Sequence, residues 1–287
     1  MCPATAPVST KKITTMRTDT EACETISAST DARLKECCLF LSEYSSALLG
    51  SGSTCMRLEK NVMSMAKALG YRVTMTILPR HIHLTVSSED SSESITYIAD
   101  VATMPIRFDI ITRLSELSRD LVSGRVDLSG ARREFMAIIG AKKIYDRRVV
   151  LLVGLANASF CRLFGGDAHA MAVVLLSTLA GYYLRRELTM RHTDMRPVFI
   201  LCSFVSSVLA AGATLFGLGS TPEIALATSV LYLVPGVPFL NSFSDLIAGH
   251  YISSMCRLTN AMILTACLSI GFLGGLAVMN LSMFKLI

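Results

Sequence analysis

The residues with the clearest chemical potential are polar side chains within an apolar stretch, residues 224–251. Pro235-Gly236 interrupts this stretch, and Asn241 and Asp245 follow shortly after. Proline removes a backbone donor and clashes with the preceding turn, so a helix here is predicted to kink or break. Broken helices at membrane depth must face protein or a water-filled cavity, and transporters use them to build substrate sites. The pattern indicates a transport path; a proline-kinked packing helix with Asp245 at an interface remains the alternative.

Asp245 is the strongest candidate among these residues, because a carboxylate can bind a substrate ammonium group or a coupling proton. It lies nine residues beyond Gly236, and a helical segment of that length would separate them by ~13 Å. We therefore predict an entry-gate or proton-acceptor role for Asp245, facing a hydrated cavity toward the cytoplasmic mouth. Coordination at the midplane would fall to Asn241 and to the carbonyls around Leu233–Pro235.

Two further polar residues of the apolar half are candidates for the same path. Asn157 falls inside a predicted span, and Asp167 follows Gly165-Gly166 in the turn between the first two spans. Charged and polar groups inside a span are costly and are usually functional. The alternative for Asp167 is a position at the membrane interface, where that cost is small.

Elsewhere, residue spacing offers little for catalysis or for metal binding. His81 and His83 would share one face of a strand, a spacing found in metal sites, but a polar hairpin face is the favoured interpretation. The sequence has no GxSxG, HExxH or phosphate-binding glycine motif, and its nine cysteines show no CxxC spacing. We predict a protein of a reducing compartment that is not an enzyme, with no catalytic residues, resident metal or cofactor.

The elements that would position the polar residues divide the chain into two halves of different character. The 287 residues are 52% hydrophobic, and the mean hydropathy is +0.51. Of the 27 Lys and Arg residues, 18 precede Arg147 and 9 do not. Of the 22 Asp and Glu residues, 17 precede Arg147 and 5 follow it. The net charge of +5 is too small and too dispersed to indicate nucleic acid as a partner. The sequence therefore predicts a soluble-type half joined to a membrane half.

The predicted fold is an α-helical membrane protein with an N-terminal cytoplasmic α+β domain. Residues 1–30, rich in Ser, Thr and Ala, are predicted to be a disordered lead. Residues 31–146 show helical periodicity at both ends and three alternating segments between them, which indicates helices flanking a small sheet with a hairpin turn at Pro79-Arg80. Residues 147–287 are the transmembrane domain, with five predicted spans at 149–166, 168–184, 197–218, 222–240 and 259–284.

The distribution of basic residues predicts the orientation of these spans. With the α+β domain in the cytoplasm, nine basic residues near the spans lie inside and two, Arg162 and Lys285, lie outside. The inside group is Lys142, Lys143, Arg147, Arg148, Arg185, Arg186, Arg191, Arg196 and Arg257. An odd number of spans then places the C-terminus outside.

Four segments occur along the chain in a recognisable order. They are GSGSTCMRLEKNVMSMAKALGY, the alternating strands after it, FCRLFGGDAHA, and LVPGVPFLNSFSDLIAGHY. Through them the chain, over residues 33–284, resembles the bacterial threonine/serine exporter family. The resemblance makes Gly50, Gly52, Arg57 and Glu59 the motif of the cytoplasmic domain. LFGG before an acidic residue, together with LVPG before Asn and Asp, is a fairly specific combination.

The resemblance implies an exporter of small polar metabolites in the cell inner membrane, with a cytoplasmic N-terminus and no cofactor. Threonine and serine are the substrates that name the family, and other members are associated with dicarboxylates such as succinate. Fused members carry a second, smaller membrane module, which this chain lacks before Ile287. It is expected to be the large subunit of a two-component exporter, with a small hydrophobic partner subunit in the lipid bilayer; assembly as a homo-oligomer is a second option. A hydrolase-like N-terminal domain was once suggested for the family, but no catalytic triad supports one here.

A second interpretation is a membrane-anchored sensor or ligand-binding protein without transport activity. In that case the α+β domain would act and the helices would only anchor it. A plain anchor needs neither a broken helix nor polar residues within its spans, so Pro235-Gly236 and Asn241 favour transport.

Overall fold

The computed structural model describes residues 32–88, 93–102, 106–141, 147–191, 193–216 and 219–279. The predicted disordered lead and the predicted boundary at residue 146 lie outside these residues. The chain divides into two compact units. The first contains the residues up to Ala141 together with Ala248–Ser253, and the second contains Lys142–Ile247 and the residues from Ser254 onward.

The first unit contains the predicted combination of helices and a small sheet. Its elements are the helices α1 (32–50), α2 (Cys55–Ala68), α3 (Phe108–Val122) and α4 (Leu128–Gly140) and the strands β1 (Tyr71–Ile77), β2 (His81–Ser88) and β3 (Ser94–Asp100). The strands form an antiparallel sheet in the order β1-β2-β3. The predicted hairpin and third strand are therefore confirmed.

The alternation of residues along β2 explains how the sheet packs. Ile82, Leu84 and Val86 are fully buried, whereas His81 and His83 are exposed. Successive side chains of a strand point to opposite faces, so one face of the sheet joins the core and the other remains polar. The buried face shares a single apolar cluster with α1, α2, α3 and α4.

Tyr44 is the largest fully buried side chain of that cluster. Its hydroxyl donates a hydrogen bond of 3.0 Å to the carbonyl of Leu114 and accepts one of 3.0 Å from the amide of Asn61. Burial raises the pKa of the Tyr44 phenol to about 12. The ring thus connects α1 to α2 and α3 with both polar requirements of its hydroxyl satisfied.

The second unit contains helices throughout its described residues. They are α5 (Arg147–Leu163), α6 (Ala168–Met190), α7 (Met195–Leu215), α8 (Pro222–Thr228), α9 (Gly236–Ile247) and α10 (Tyr251–Val278), with a short 3-10 turn at Leu231–Leu233. Two of these are long and apolar enough to cross a membrane, α7 over Met195–Gly212 and α10. The bent pair Pro222–Leu233 and Gly236–Ile247 adds a third candidate if it counts as one span.

The five predicted spans are therefore shown only in part. The described residues of all five regions are mainly helical, but α5 and α6 are not among the candidate spans found in the described part of the chain. α5 has 17 residues, and the end of α6 carries Arg185, Arg186 and Glu187, which lower its apolar character. The last helix also begins at Tyr251, eight residues before the predicted start.

Glycines allow α10 to approach α7 closely. A methyl group added at Gly271 would overlap the hydroxyl of Ser203 and the carbonyl of Ile200. One added at Gly275 would overlap the hydroxyl of Ser207. Packing of this kind, with small residues at the contact, is typical of helices that associate in a bilayer.

Candidate functional site

The helix breaks where the proline pattern predicts it. α8 ends at Thr228, the 3-10 turn occupies Leu231–Leu233, and α9 begins at Gly236. The two arms meet at an angle of 59°. Pro235 is buried, and the amide of Gly236 donates to the carbonyl of Val234 at 2.8 Å. Proline has no amide hydrogen to continue the ladder, so the next helix restarts just after it.

Asn157 satisfies a carbonyl that this break releases. The last carbonyls of a helix have no intrahelical partner, and Thr228 is the last residue of α8. The side-chain amide of Asn157 donates to the Thr228 carbonyl at 3.1 Å and to the Thr178 hydroxyl at 2.6 Å. Because a carbonyl can only accept, the nitrogen of the Asn157 amide must face it. Asn157 therefore connects α5 to α6 and to the end of α8.

Tyr232 lies in the 3-10 turn and anchors the break to two neighbouring helices. Its hydroxyl is 3.0 Å from the hydroxyl of Ser206 in α7. Its ring makes an edge contact with Tyr182 in α6, with centroids 6.3 Å apart. Gly181 faces the same hydroxyl so closely that an added methyl group would overlap both Tyr232 and Ser206. Tyr232 thus holds the 3-10 turn beside the break against α6 and α7.

Asp245 forms an ion pair with Arg257 across α9 and α10. Arg257 Nε lies 3.3 Å from Asp245 Oδ2, and the side chain of Asp245 is 0% exposed while that of Arg257 is 21% exposed. A buried carboxylate is tolerated when it is paired with a cation. The structure places Asp245 inside the packed unit, and its predicted role in a transport path stays a prediction.

Two serines hold the helices together beside this ion pair. The hydroxyl of Ser242 donates to the carbonyl of Ser254 at 2.9 Å, and the hydroxyl of Ser254 donates to the carbonyl of Ser242 at 2.8 Å. Both serines are buried. Ser242 precedes Asp245 by one helical turn, so these contacts and the ion pair lie on one face of α9. Asn241 is half-buried one turn before Asp245.

Asp167 caps a helix and connects two loops. One of its carboxylate oxygens accepts from the amide of Ala170 at 2.7 Å, and the other accepts from the amide of Ser220 at 2.7 Å and its hydroxyl at 3.1 Å. Together these hydrogen bonds, led by that from Ala170, lower the pKa of Asp167 to about 2. The contacts give Asp167 a structural role at the start of α6, and a role in a transport path stays a prediction.

The glycine motif of the first unit forms the connection between α1 and α2. Gly52 has a φ of +93°, a region that favours glycine, and its amide donates to the carbonyl of Leu49. Gly50 ends α1, and Thr54 caps α2 by accepting from the amide of Arg57. These residues therefore shape a turn between helices.

Glu59 is the member of this motif with a distant partner. It lies in the second turn of α2, where its carboxylate is 3.3 Å from His250 Nε2. Ser253 also donates to the carbonyl of Ile77 at 3.3 Å. His250 and Ser253 belong to the segment Ala248–Ser253. This segment is part of the first unit, although it follows most of the second unit in the sequence.

The exposed histidines of β2 are not part of a metal-ligand group in the described part of the chain. His81 Nδ1 is 2.8 Å from Asp100 Oδ1 at the edge of the sheet. Within the residues that the structure describes, no three His, Cys, Asp or Glu side chains are grouped closely enough to hold a metal ion. Glu89 and Asp90, two acidic residues near the hairpin, lie outside those residues.

Comparison with known proteins places this architecture in a family. The family model described as "Putative threonine/serine exporter" matches residues 39–279, from within α1 through the sheet and the broken helix to the end of α10. The chain belongs to the threonine/serine exporter family. Three of the motifs that carried the resemblance lie at connections in this structure. They are the turn between α1 and α2, the turn between α5 and α6, and the helix break.

Two curated relatives carry the same name, "Probable succinate transporter subunit YjjP". The protein of Escherichia coli (strain K12) is 31% identical over 158 residues, which cover 54% of this chain and 61% of the relative. That of Klebsiella aerogenes is 26% identical over 226 residues, which cover 78% of this chain and 86% of the relative. No solved structure matches the chain significantly. The apolar helices fit the membrane location that a family of putative exporters implies.

Sequence reasoning missed the contacts of three residues of this region, Arg257, Tyr232 and His250. Arg257 was assigned to the basic residues of the inside loops, yet it lies within α10 and pairs with Asp245. Its isolation as a charge in an otherwise apolar run was the available signal. Tyr232 and His250 carried no such signal, because their contacts with Ser206 and Glu59 depend on how distant helices pack.

Proposed function

We propose that this chain is a subunit of a secondary exporter that moves small polar metabolites out of the cytoplasm. The substrates would be amino acids such as threonine and serine, or a dicarboxylate such as succinate. The observation that carries this proposal is the bent helix pair, interrupted at Pro235-Gly236 in an apolar segment. A break frees backbone groups that bind polar ligands, which a membrane anchor does not need.

The proposed path follows the broken helix. Pro235 and Gly236 create the interruption, and Asn241 and Asp245 present an amide and a carboxylate on the second arm. Asn157 supports the path from α5 by holding the end of α8. Asp167 contributes by fixing the turn between α5 and α6. In this arrangement Asn157 and Asp167 hold the path in position, while the four residues of the broken helix line it.

Efflux measurements test this proposal directly. Cells that overproduce the chain with its partner would be loaded with labelled serine, threonine or succinate, and the label that leaves the cell would be followed. Faster efflux of at least one of these compounds than from cells lacking the chain is expected. Binding of a metabolite by the purified complex with no flux in proteoliposomes would instead identify a sensor.

We further propose that transport requires a small hydrophobic membrane partner. The relatives are named as subunits, and the described helices of this chain offer few candidate spans to enclose an alternating-access path. We expect proteoliposomes with this chain alone to show no flux and those with both subunits to show flux. Full flux from the single purified chain would refute this, and assembly of several copies into one path would then be the explanation.

The proposed topology has five spans in the cell inner membrane, with the first unit in the cytoplasm and Ile287 outside. It rests on the asymmetry of Lys and Arg around the helices. A phosphatase that is active only outside the cytoplasm should be active when fused after Ile287 and inactive when fused before Met1. A fluorescent protein that folds only in the cytoplasm provides the matched control with the opposite pattern. Phosphatase activity at the N-terminus would contradict the orientation.

A further inference from the structure

The end of α4, residues 136–140, exposes apolar side chains and contains no charged residue. Met136 is 51% exposed and Ile139 is 38% exposed, and Ala137 and Gly140 beside them are also exposed. From this face we propose that the end of α4 inserts into the membrane surface, with Met136 and Ile139 among the acyl chains and the arginines before them at anionic phospholipid headgroups. The inference rests on the proposed membrane topology and does not depend on the export activity.

Packing against the core of the first unit fixes which side of α4 faces outward. Ala131, Phe135 and Ile138 are the buried residues of this helix. The ring of Phe135 makes an edge contact with Phe40 in α1, with centroids 6.1 Å apart. Residues with this spacing share one face of a helix, so the exposed apolar residues lie away from the core. They cannot turn inward without loss of the core packing.

Arginines precede the apolar residues on the outward side of α4. Arg133 is exposed, and Arg132 is half-buried with Nη2 3.8 Å from a carboxylate oxygen of Glu43. Residues three and four apart are neighbours on a helix, so the two arginines adjoin Met136. Over residues 132–148 the sequence holds six Lys or Arg residues and two Asp or Glu residues. Basic clusters beside a membrane-spanning helix attract anionic lipids.

The position of α4 in the chain places its end close to the bilayer. Six residues, 141–146, separate the end of α4 from the start of α5. A segment of this length spans at most ~25 Å when fully extended. In the proposed topology α5 enters the bilayer at this end. The linker therefore holds the end of α4 near the surface that its exposed side chains match.

The size of the apolar face favours lipid over a protein as its occupant. A stable protein–protein interface buries roughly 800 Å² on each partner, more than five residues with two large side chains present. Insertion into lipid needs no such area, because the linker to α5 already keeps the helix at the membrane. Interfacial helices combine apolar residues on one part of their surface with Lys or Arg on another, and they bind anionic lipids in this way.

The sequence contains no tryptophan, which gives a direct test. Met136→Trp in the full chain introduces a single fluorescent indole at the proposed contact. The protein would be reconstituted into phosphatidylglycerol liposomes with bromine atoms on the upper acyl chains of both leaflets, so the direction of insertion does not affect the result. Met63→Trp in α2, where Met63 is 45% exposed, is the matched control in the same unit. Ile270→Trp, at a position 60% exposed on α10, is the control within a candidate span.

Brominated lipids are expected to reduce the emission of Met136→Trp by roughly half or more, because interfacial helices insert ~5–10 Å into the boundary of headgroups and acyl chains. Ile270→Trp should be quenched at least as strongly, and Met63→Trp should keep its intensity. Ile139→Trp is a second reporter on the same face if Met136→Trp does not fold. Exchange of phosphatidylglycerol for phosphatidylcholine, or addition of Arg133→Gln, should weaken the quenching because attraction to the headgroups is lost.

Unquenched emission from both α4 reporters, with Ile270→Trp quenched, would overturn the proposal and leave the membrane location intact. Equal quenching of Met63→Trp and Met136→Trp would also overturn it, because lipid contact would then not be particular to α4. Equal quenching in the two lipids would refute the role of anionic headgroups.

Aqueous iodide distinguishes lipid from a protein cover. If Met136→Trp is protected from iodide but is not quenched by bromine, a second copy or another protein segment covers the face, and the proposal is wrong. If no variant is quenched by bromine, including Ile270→Trp, the proposed membrane location itself is refuted. None of these measurements requires flux, so the export function is tested separately.

Discussion

Asp245→Asn is expected to abolish export or to slow it by at least about tenfold, equivalent to about 1.4 kcal/mol in the barrier. Asparagine keeps the shape of the side chain and can still accept a hydrogen bond from Arg257, so the contact between α9 and α10 is preserved. It cannot take up a proton or carry a negative charge. The variant therefore separates packing from charge at this position.

The measurement combines efflux with two tests of integrity. Membrane insertion and copurification with the partner subunit should match the wild type, while efflux of the transported metabolite falls. Glu187→Gln is the matched control, because it neutralises a carboxylate of an exposed pair in the same unit. Export by the variant at the wild-type rate across a range of pH would show that Asp245 has only a structural role. The proposed transport site would then be wrong.

Gly181→Ala is expected to disable the transporter through the position of the helix break. The added methyl group would overlap the hydroxyls of Tyr232 and Ser206, which lie 3.0 Å apart. The two side chains must then shift, and we expect the shift of the Tyr232 ring to disturb the 3-10 turn that precedes Pro235. Overpacking of this kind costs about 1–3 kcal/mol. We expect a lower thermal unfolding temperature of the detergent-purified protein and a strong loss of efflux.

A matched control and a compensating change make this prediction specific. Gly212→Ala in α7 adds the same methyl group where no atom lies within 4 Å, so it should leave stability and efflux unchanged. Tyr232→Phe removes the hydroxyl nearest to the added methyl group, so the double variant should recover part of the stability. If Gly181→Ala matches Gly212→Ala in both measurements, the tight contact does not determine the break.

Local sequence patterns predicted the elements of the first unit well. Ile82, Leu84 and Val86 alternate with polar neighbours, and this period of two led directly to the buried face of β2. Pro79-Arg80 between two such runs indicated the hairpin turn. In the second unit, Pro235 predicted the helix break for an equally local reason, since it lacks the amide hydrogen that a continuous helix needs.

Local patterns could not predict helix boundaries and hydrogen-bond partners that depend on contacts between distant residues. The start of α10 at Tyr251 was predicted eight residues too late, because Arg257 was taken as a loop residue rather than as the partner of a buried carboxylate. The spacing around Asp167 placed a turn correctly, but its bonds to Ser220 require a loop more than fifty residues away. The spans predicted at α5 and α6 are helical in the structure, but within the described residues they are not among the candidate spans, so they stay a prediction.

The return of Ala248–Ser253 to the first unit has a consequence for how this protein can be divided. A fragment that ends at Ala141 carries α1 to α4 and β1 to β3, yet it lacks His250 beside Glu59 and the Ser253 hydroxyl at the Ile77 carbonyl. The first unit is therefore not a contiguous stretch of the gene, and no single cut separates it whole from the helices. An autonomous version for expression would need the six-residue segment grafted back through a linker, as in a circular permutation.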